Sequence, residues 1–207
     1  MSMVKVNEVY RSIQGEGARV GTENIFVRFT GCNMRCSVEA SAKSPGGFDC
    51  DTEFVSGRKM TIDELIQWIR DEDSNDGATP CKWVILTGGE PGLQTSDELI
   101  EQLHEAGYKI AIETNGSIKL SDSIDYVAVS PKVAEHCIRQ KTCDEVRYVR
   151  GYGQSLPRSV VQAEHYLISP AANGNTIEQR VIDWCDELVK GSKWKVSIQE
   201  HKLHQIR

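Results

Sequence analysis

Cys32, Cys36 and Cys50 are the residues of this chain whose type and spacing point most directly to chemistry. Three thiolates can hold three irons of a cubane iron–sulfur cluster, which leaves the fourth iron open to a small molecule. A cluster with an open iron suggests catalysis, whereas one held by four cysteines more often only carries electrons. The same cysteines could belong to a structural zinc site, but zinc takes four N or S ligands in a closed tetrahedron. The closest histidine in sequence is His104, so a fourth zinc ligand would have to come from far away. Cys81, Cys137, Cys143 and Cys185 bring the total to seven, an odd count that does not suit a disulfide framework. Their spacing is not that of ligands, and they read as buried or surface thiols.

The elements that must position the cysteines follow from periodicity and punctuation. Val4 to Ser12 reads as an extended opening segment, and Asn24 to Thr30, β-branched and aromatic, as a strand running into the cysteine loop. Ser41 to Asp49 is small, polar and Gly/Pro-containing, and reads as an insertion in that loop. Thr61-Ile62-Asp63-Glu64 fits a capping box ahead of an amphipathic helix through Ile62, Leu65, Ile66 and Ile69. Strands are expected at Trp83–Leu86, Lys109–Ile112, Asp125–Val129, Glu145–Val149, His165–Ile168 and Trp194–Ile198. A second capping box at Thr95–Glu98 opens a helix through Ala106 that Gly107 ends, and a further helix is expected over Ile177–Val189.

Strand, helix and strand alternate, which predicts a parallel sheet with right-handed helical crossovers that curls toward a barrel. Functional groups of such sheets gather at the C-terminal strand edges. Here Cys32, Thr87, Glu113 and Ser130 each follow or end an apolar strand. With no linker or repeat, residues 1–207 are expected to form a single domain. The net charge of −6 gives no broad basic surface for nucleic acid. No apolar run reaches the roughly 20 residues that span a bilayer, and no signal peptide opens the chain, so a cytoplasmic protein is expected.

Gly31-Cys32-x-x-x-Cys36 after a strand, with Thr87-Gly88-Gly89-Glu90-Pro91 after the next core strand, resembles the radical S-adenosylmethionine superfamily. That superfamily usually spaces its cysteines Cys-x3-Cys-x2-Cys; here the second gap is expanded to thirteen residues. Further blocks narrow the resemblance: Ser12-Ile13-Gln14-Gly15-Glu16-Gly17, Val27-Arg28-Phe29-Thr30-Gly31-Cys32-Asn33, Cys50-Asp51-Thr52, Glu113-Thr114-Asn115-Gly116, Val129-Ser130-Pro131-Lys132 and Ser197-Ile198-Gln199-x-His201-Lys202. Together they resemble the 7-carboxy-7-deazaguanine synthase family.

The resemblance implies a small, incomplete (β6/α3-like) partial TIM barrel of the radical S-adenosylmethionine type, working as a homodimer. It implies a [4Fe-4S] cluster, S-adenosylmethionine and Mg2+ as cofactors, and a flavodoxin-like or ferredoxin-like reductant. The reaction implied is radical ring contraction of 6-carboxy-5,6,7,8-tetrahydropterin to 7-carboxy-7-deazaguanine and ammonia, on the way to queuosine-type bases. Cys32, Cys36 and Cys50 would ligate the cluster. Asp49, Cys50, Asp51, Gly89, Ser130, Pro131 and Lys132 would line the S-adenosylmethionine site. There the paired glycines let backbone carbonyls approach an ammonium, and Glu90 would supply negative charge near a cationic ligand. Thr52 would offer its hydroxyl to magnesium, or else cap a helix or turn. Ile13, Gln14, Gly15, Thr87, Glu113 and Asn115 would meet the pterin. Arg28 would grip its carboxylate, or form an ion pair on the strand surface. Arg207 would bring the terminal carboxylate toward magnesium or the pterin.

Three departures from the family pattern stand out. Asp49, preceded by Phe48, holds a position that is often aromatic; Ile168-Ser169-Pro170 stands where Leu-Gln-Pro is common; and the chain ends in Arg207 rather than proline. His201 reads as either a pocket residue or a packed core histidine, with packing preferred, and the four tryptophans read as core. The alternative enzyme class is a radical S-adenosylmethionine activase that acts on a glycine of a partner protein. Such an enzyme has no need of Gln14 in its opening segment.

Overall fold

The computed structural model describes residues 2–36, 50, 53–74, 79–174 and 176–204. Among these residues nine strands form one sheet: β1 (Met3–Ile13), β2 (Glu23–Phe29), β3 (Arg58–Thr61), β4 (Trp83–Gly88), β5 (Lys109–Thr114), β6 (Tyr126–Val129), β7 (Thr142–Arg150), β8 (Gln162–Pro170) and β9 (Lys195–Val196). Their order across the sheet is β3-β1-β2-β4-β5-β6-β7-β8-β9, so the sheet is open, with β3 and β9 at its edges. From β2 to β9 every pairing is parallel, as the alternation of elements predicts. The opening segment adds something the alternation does not: β1 pairs antiparallel with both β2 and β3.

Among the described residues four helices accompany the sheet: α1 (Ile62–Ser74), α2 (Asp97–Glu105), α3 (Gln179–Val189) and the short α4 (Glu200–His204). The expected helical crossovers are therefore present before β4, β5 and β9, while the links from β5 to β6, β6 to β7 and β7 to β8 carry no α-helix. One face of the sheet packs under α1 and α2 through Ile25, Val27, Phe29, Val84, Leu86, Ile110 and Ile112, which meet Leu65, Ile69, Leu99 and Leu103. The same face continues under α3, where Val146, Tyr148 and Ile168 meet Val181, Cys185 and Trp194. The alternation of side chains along each strand leaves the opposite face for polar groups.

Local signals explain the element ends. Thr61 and Glu64 form the expected capping box, with the Glu64 amide donating to Thr61 Oγ1 at 3.2 Å and the Thr61 amide donating to Glu64 Oε2 at 2.7 Å. Before α2 the cap lies one residue later than expected: Ser96 Oγ accepts from the Leu99 amide, while the Thr95 hydroxyl turns back to the Pro91 carbonyl. Gly107, at φ +92°, closes α2. Its amide donates to His104 O and that of Tyr108 to Leu103 O, the paired bonds that satisfy a helix's last carbonyls. No helix among the described residues is long and apolar enough to cross a membrane.

Of the tryptophans, Trp194 is buried as expected. The other three are only partly buried. Trp68 lies beneath the Arg58 guanidinium at 4.3 Å, Trp184 donates its indole N–H to the Gln154 carbonyl, and Trp83 lies beneath Arg19 at 3.9 Å on the polar side of the sheet.

Candidate active site

The strand register lays the polar site residues in one row. Glu8 stands opposite Arg28 and Arg28 opposite Thr87. Leu86 stands opposite Ile112, so Thr87 and Glu113 come next in register. Glu113 pairs with Ala128, and Ala128 with Glu145. Toward the N-terminal ends of the strands the same face is apolar, with Tyr10 and Phe26 stacked at 5.2 Å over Ile85 and Ala111.

The turn from β1 to β2 folds across this face from the N-terminal ends. Gln14, 8 % exposed, donates through Nε2 to Glu113 Oε1 at 2.8 Å. Arg19 closes the bottom, with its guanidinium over the rings of Trp83 and Tyr126. Between these residues lies a crevice with only about 10 Å³ of free space, lined by Gln14, Glu16, Glu113, Glu145 and Arg147. That is room for about one water.

Arg28 is already engaged. Its Nε donates to Glu8 Oε1 at 2.7 Å and an Nη to the Tyr10 hydroxyl at 3.1 Å. The strand-surface ion pair is thus formed, while the guanidinium stays in the row beside Thr87.

At the C-terminal edge, the end of β4 lies flush against the end of β2. A Cβ on Gly89 would stand 2.0 Å from the Gly31 carbonyl oxygen and 3.0 Å from Cys32 Cβ, and one on Gly88 would stand 2.2 Å from Phe29 O. The Gly89 and Glu90 amides donate to Phe29 O and Gly31 O, which extends the β2–β4 ladder under the cysteine loop. The glycines are therefore required first by this close backbone approach. Glu90 also differs from expectation. It is fully buried, and it accepts from Thr114 Oγ1, the Asn115 amide and the Gly92 amide. Burial pushes its carboxyl above the ordinary value, against those donors. Its carboxylate ties protein to protein rather than lining a ligand site.

Asn115 is drawn into the same structure. Its Nδ2 donates to Asn33 Oδ1 at 3.0 Å and its Oδ1 accepts from the Ser117 amide. Asn33 in turn donates to Ser117 Oγ, so the cysteine loop is pinned to the end of β5. Ser130 follows β6, its amide donating to Thr114 O, and Lys132 Nζ donates to Ser130 Oγ at 2.8 Å.

Among the described residues no three of His, Cys, Asp and Glu gather closely enough to hold a single metal ion. The cysteines nevertheless stand as neighbours: burial pushes the Cys32 thiol up, the Met34 amide works against this, and Cys36 and Cys50 both lie within electrostatic reach. Cys32 borders the Gly89 surface, and three thiols that neighbour one another without converging on one point suit a multi-iron cluster, whose ligands bind separate irons, better than one tetrahedral ion. Asp49, Asp51, Thr52 and Arg207, together with Phe48, lie outside the described residues. Ile13 is 43 % exposed at the end of β1 and stands apart from the row. Gly15 lies directly beneath the His201 ring, where a Cβ would come within 2.3 Å of Nδ1, so half-buried His201 caps the turn rather than packing in the core.

The sequence reading gave no role to Glu16, Glu145 or Arg147. Arg147, 4 % exposed, is held by Glu145 at 2.6 Å and by Glu16 at 2.9 Å. Burial works against its charge, but the surrounding carboxylates outweigh this and hold its pKa above the ordinary value. An Arg flanked by strand formers gives no signal in the sequence; an acidic residue two places before it in a strand that should alternate apolar and polar is the one available hint.

No protein-family profile matches the chain. A 7-carboxy-7-deazaguanine synthase of Bacteroides thetaiotaomicron is 39% identical over 206 residues, covering 99% of this chain and 100% of that one. A 7-carboxy-7-deazaguanine synthase of Bradyrhizobium diazoefficiens is 34% identical, covering 98% of both. The crystal structure of QueE from Escherichia coli superposes with a TM-score of 0.64 at 21% identity, over 96% of this chain and 95% of that one. That likeness shows the fold, an open α/β partial barrel. Identity sustained over essentially the full length of two relatives places the sequence itself: the chain belongs to the 7-carboxy-7-deazaguanine synthase family.

Proposed function

We propose that the chain catalyses the radical ring contraction of 6-carboxy-5,6,7,8-tetrahydropterin to 7-carboxy-7-deazaguanine and ammonia, as a single domain in a homodimer. The observation that carries the reading is the row Arg28–Thr87–Glu113 with Gln14 bonded beneath it, on the face where the family's activity needs a pterin pocket. Cys32, Cys36 and Cys50 would hold a [4Fe-4S] cluster against Gly89. When bound and reduced by a flavodoxin-like or ferredoxin-like donor, the cluster and S-adenosylmethionine together supply a 5′-deoxyadenosyl radical.

The chain's own residues bind and orient. Gly89, Ser130, Pro131 and Lys132, with the segment from Asp49 to Asp51, would line the S-adenosylmethionine site at the strand edges. The Arg28 guanidinium, steadied by Glu8 and Tyr10, keeps donor capacity for the substrate carboxylate. Glu113 carries no hydrogen bond to a described residue at Oε2 and would accept from the guanidine-like edge of the pterin. Ile13, Gln14, Gly15, Thr87 and Asn115 would complete the pocket. Thr52 would present its hydroxyl to Mg2+, and Arg207 its terminal carboxylate.

The test is an anaerobic assay of reconstituted protein with dithionite, S-adenosylmethionine, Mg2+ and the carboxytetrahydropterin, read by mass spectrometry. 7-Carboxy-7-deazaguanine at many turnovers per S-adenosylmethionine is expected. Slow 5′-deoxyadenosine release with no deazaguanine product would overturn the reading and direct the search to a protein substrate.

A further inference from the structure

Arg147 stands on β7 with three carboxylates around it. One Nη lies 2.6 Å from Glu145 Oε1, and the other lies 2.9 Å from Glu16 Oε1 and 3.7 Å from Glu113 Oε1. Glu145, 1 % exposed, uses its second oxygen to accept from the Ala18 amide at 2.7 Å and the Tyr126 hydroxyl at 3.1 Å. Gly17 lies flush on this ion pair: at φ +81°, a Cβ there would come within 2.5 Å of both Glu145 oxygens and 2.8 Å of an Arg147 Nη. The Gly17 amide is further tied to Ser197 Oγ at 2.8 Å. So β7 grips the turn that carries Gln14 twice, through the Arg147 guanidinium on the Glu16 carboxylate and through the Glu145 carboxylate on the Ala18 amide.

We propose that Arg147 is a positioning residue for the pterin pocket: by bridging Glu16 and Glu145 it clamps the Gln14–Ala18 turn against β7 and so aims Gln14 and Glu113 at the substrate. The inference rests on the proposed pterin reading and adds a residue to it. One guanidinium fork is needed because three carboxylates so close would otherwise repel one another and push the turn outward. A fork can bridge two carboxylates at once, whereas an ammonium is a point charge. The Glu16 amide leans on Gln14 Oε1 at 3.3 Å, and Gln14 Nε2 on Glu113 Oε1 at 2.8 Å, so release of Glu16 reaches Glu113 through two hydrogen bonds.

The experiment compares wild type with Arg147→Met, Arg147→Lys and Glu145→Gln in the full chain. Amide hydrogen exchange over residues 14–18 is measured without ligands; iron content and kinetics are measured after reconstitution. Arg147→Met is expected to lose exchange protection over the turn and to raise KM for the pterin about tenfold or more. Its kcat should change less, and its iron per chain and S-adenosylmethionine affinity should stay at wild-type levels. Arg147→Lys should recover only part of the lost KM, and Glu145→Gln should shift exchange and KM in the same direction as Arg147→Met. Unchanged exchange in all three variants overturns the clamp, and so does a wild-type KM in Arg147→Lys. If Arg147→Met does not fold, Arg147→Lys and Glu145→Gln carry the test. Wild type without turnover of the pterin sinks the proposed reaction instead, and the clamp is then judged on exchange alone.

Discussion

The Glu90 carboxylate receives the backbone amide of Asn115 at 2.7 Å, joining the end of β4 to the end of β5 in a place with no access to water. The same carboxylate takes the Thr114 hydroxyl at 2.7 Å. Because Asn115 also holds Asn33 of the cysteine loop, Glu90 supports that loop from behind. We predict that Glu90→Gln, which must point an N–H₂ at one of these donors, lowers stability by about 2–4 kcal/mol. Denaturant unfolding of the apo protein reads this directly; a loss below about 0.5 kcal/mol would mean that the bonds are dispensable.

Gly89 faces the Gly31 carbonyl so closely that a methyl group cannot be placed there without moving backbone. Gly89→Ala is therefore expected to push the cysteine loop off the end of β4. Fewer irons per chain after anaerobic reconstitution, together with weaker S-adenosylmethionine binding, is the expected result. Full iron content with unchanged binding would contradict the close packing.

Two substitutions test the proposed cluster and magnesium ligands separately. Cys36→Ala should leave a protein unable to retain four irons after reconstitution, and full iron content in it would remove Cys36 from the ligand set. Thr52→Ala should weaken the dependence of rate on Mg2+ while iron content stays the same. An unchanged magnesium response would return Thr52 to a capping role.

Arg28→Lys tests carboxylate recognition. Lysine keeps the charge but cannot hold Glu8, Tyr10 and a substrate carboxylate in one plane. KM for the pterin should rise about 10- to 100-fold with iron content unaffected. A wild-type KM would reduce Arg28 to its ion pair with Glu8.

The pH dependence of stability has a local source at the start of β5. Asp125 Oδ2 accepts from the Ile110 amide at 2.8 Å and contacts His104 Nε2 at 2.9 Å. Burial pushes the Asp125 carboxyl up, but these two partners outweigh it, and its pKa lies below the ordinary 3.8. In the window between the lowered folded value and the ordinary one, the unfolded chain binds the proton more readily. The stability this group adds is therefore complete above that window and is lost as pH falls through the folded value. Asp125→Asn should cost about 1 kcal/mol at neutral pH, and its difference from wild type should shrink on acidification through the window. A difference that stays constant across that range would assign the effect to packing.

Much of this protein was legible one residue at a time. The capping box at Thr61 and Glu64, the closing glycine Gly107, the parallel strands and the cysteine spacing are all local or periodic signals, set by neighbours within a few positions. The family blocks are equally local, which is why the resemblance held along nearly the whole chain. What only the tertiary structure decided is where polar side chains turn once strands distant in sequence come into register. Glu90 faces inward to Thr114 and Asn115 because the end of β4 lies beside the end of β5. Arg147 joins Glu16 because the β1–β2 turn folds beneath β7. A buried charge must find its partner wherever the fold supplies one, and neither residue's sequence neighbours say where that is.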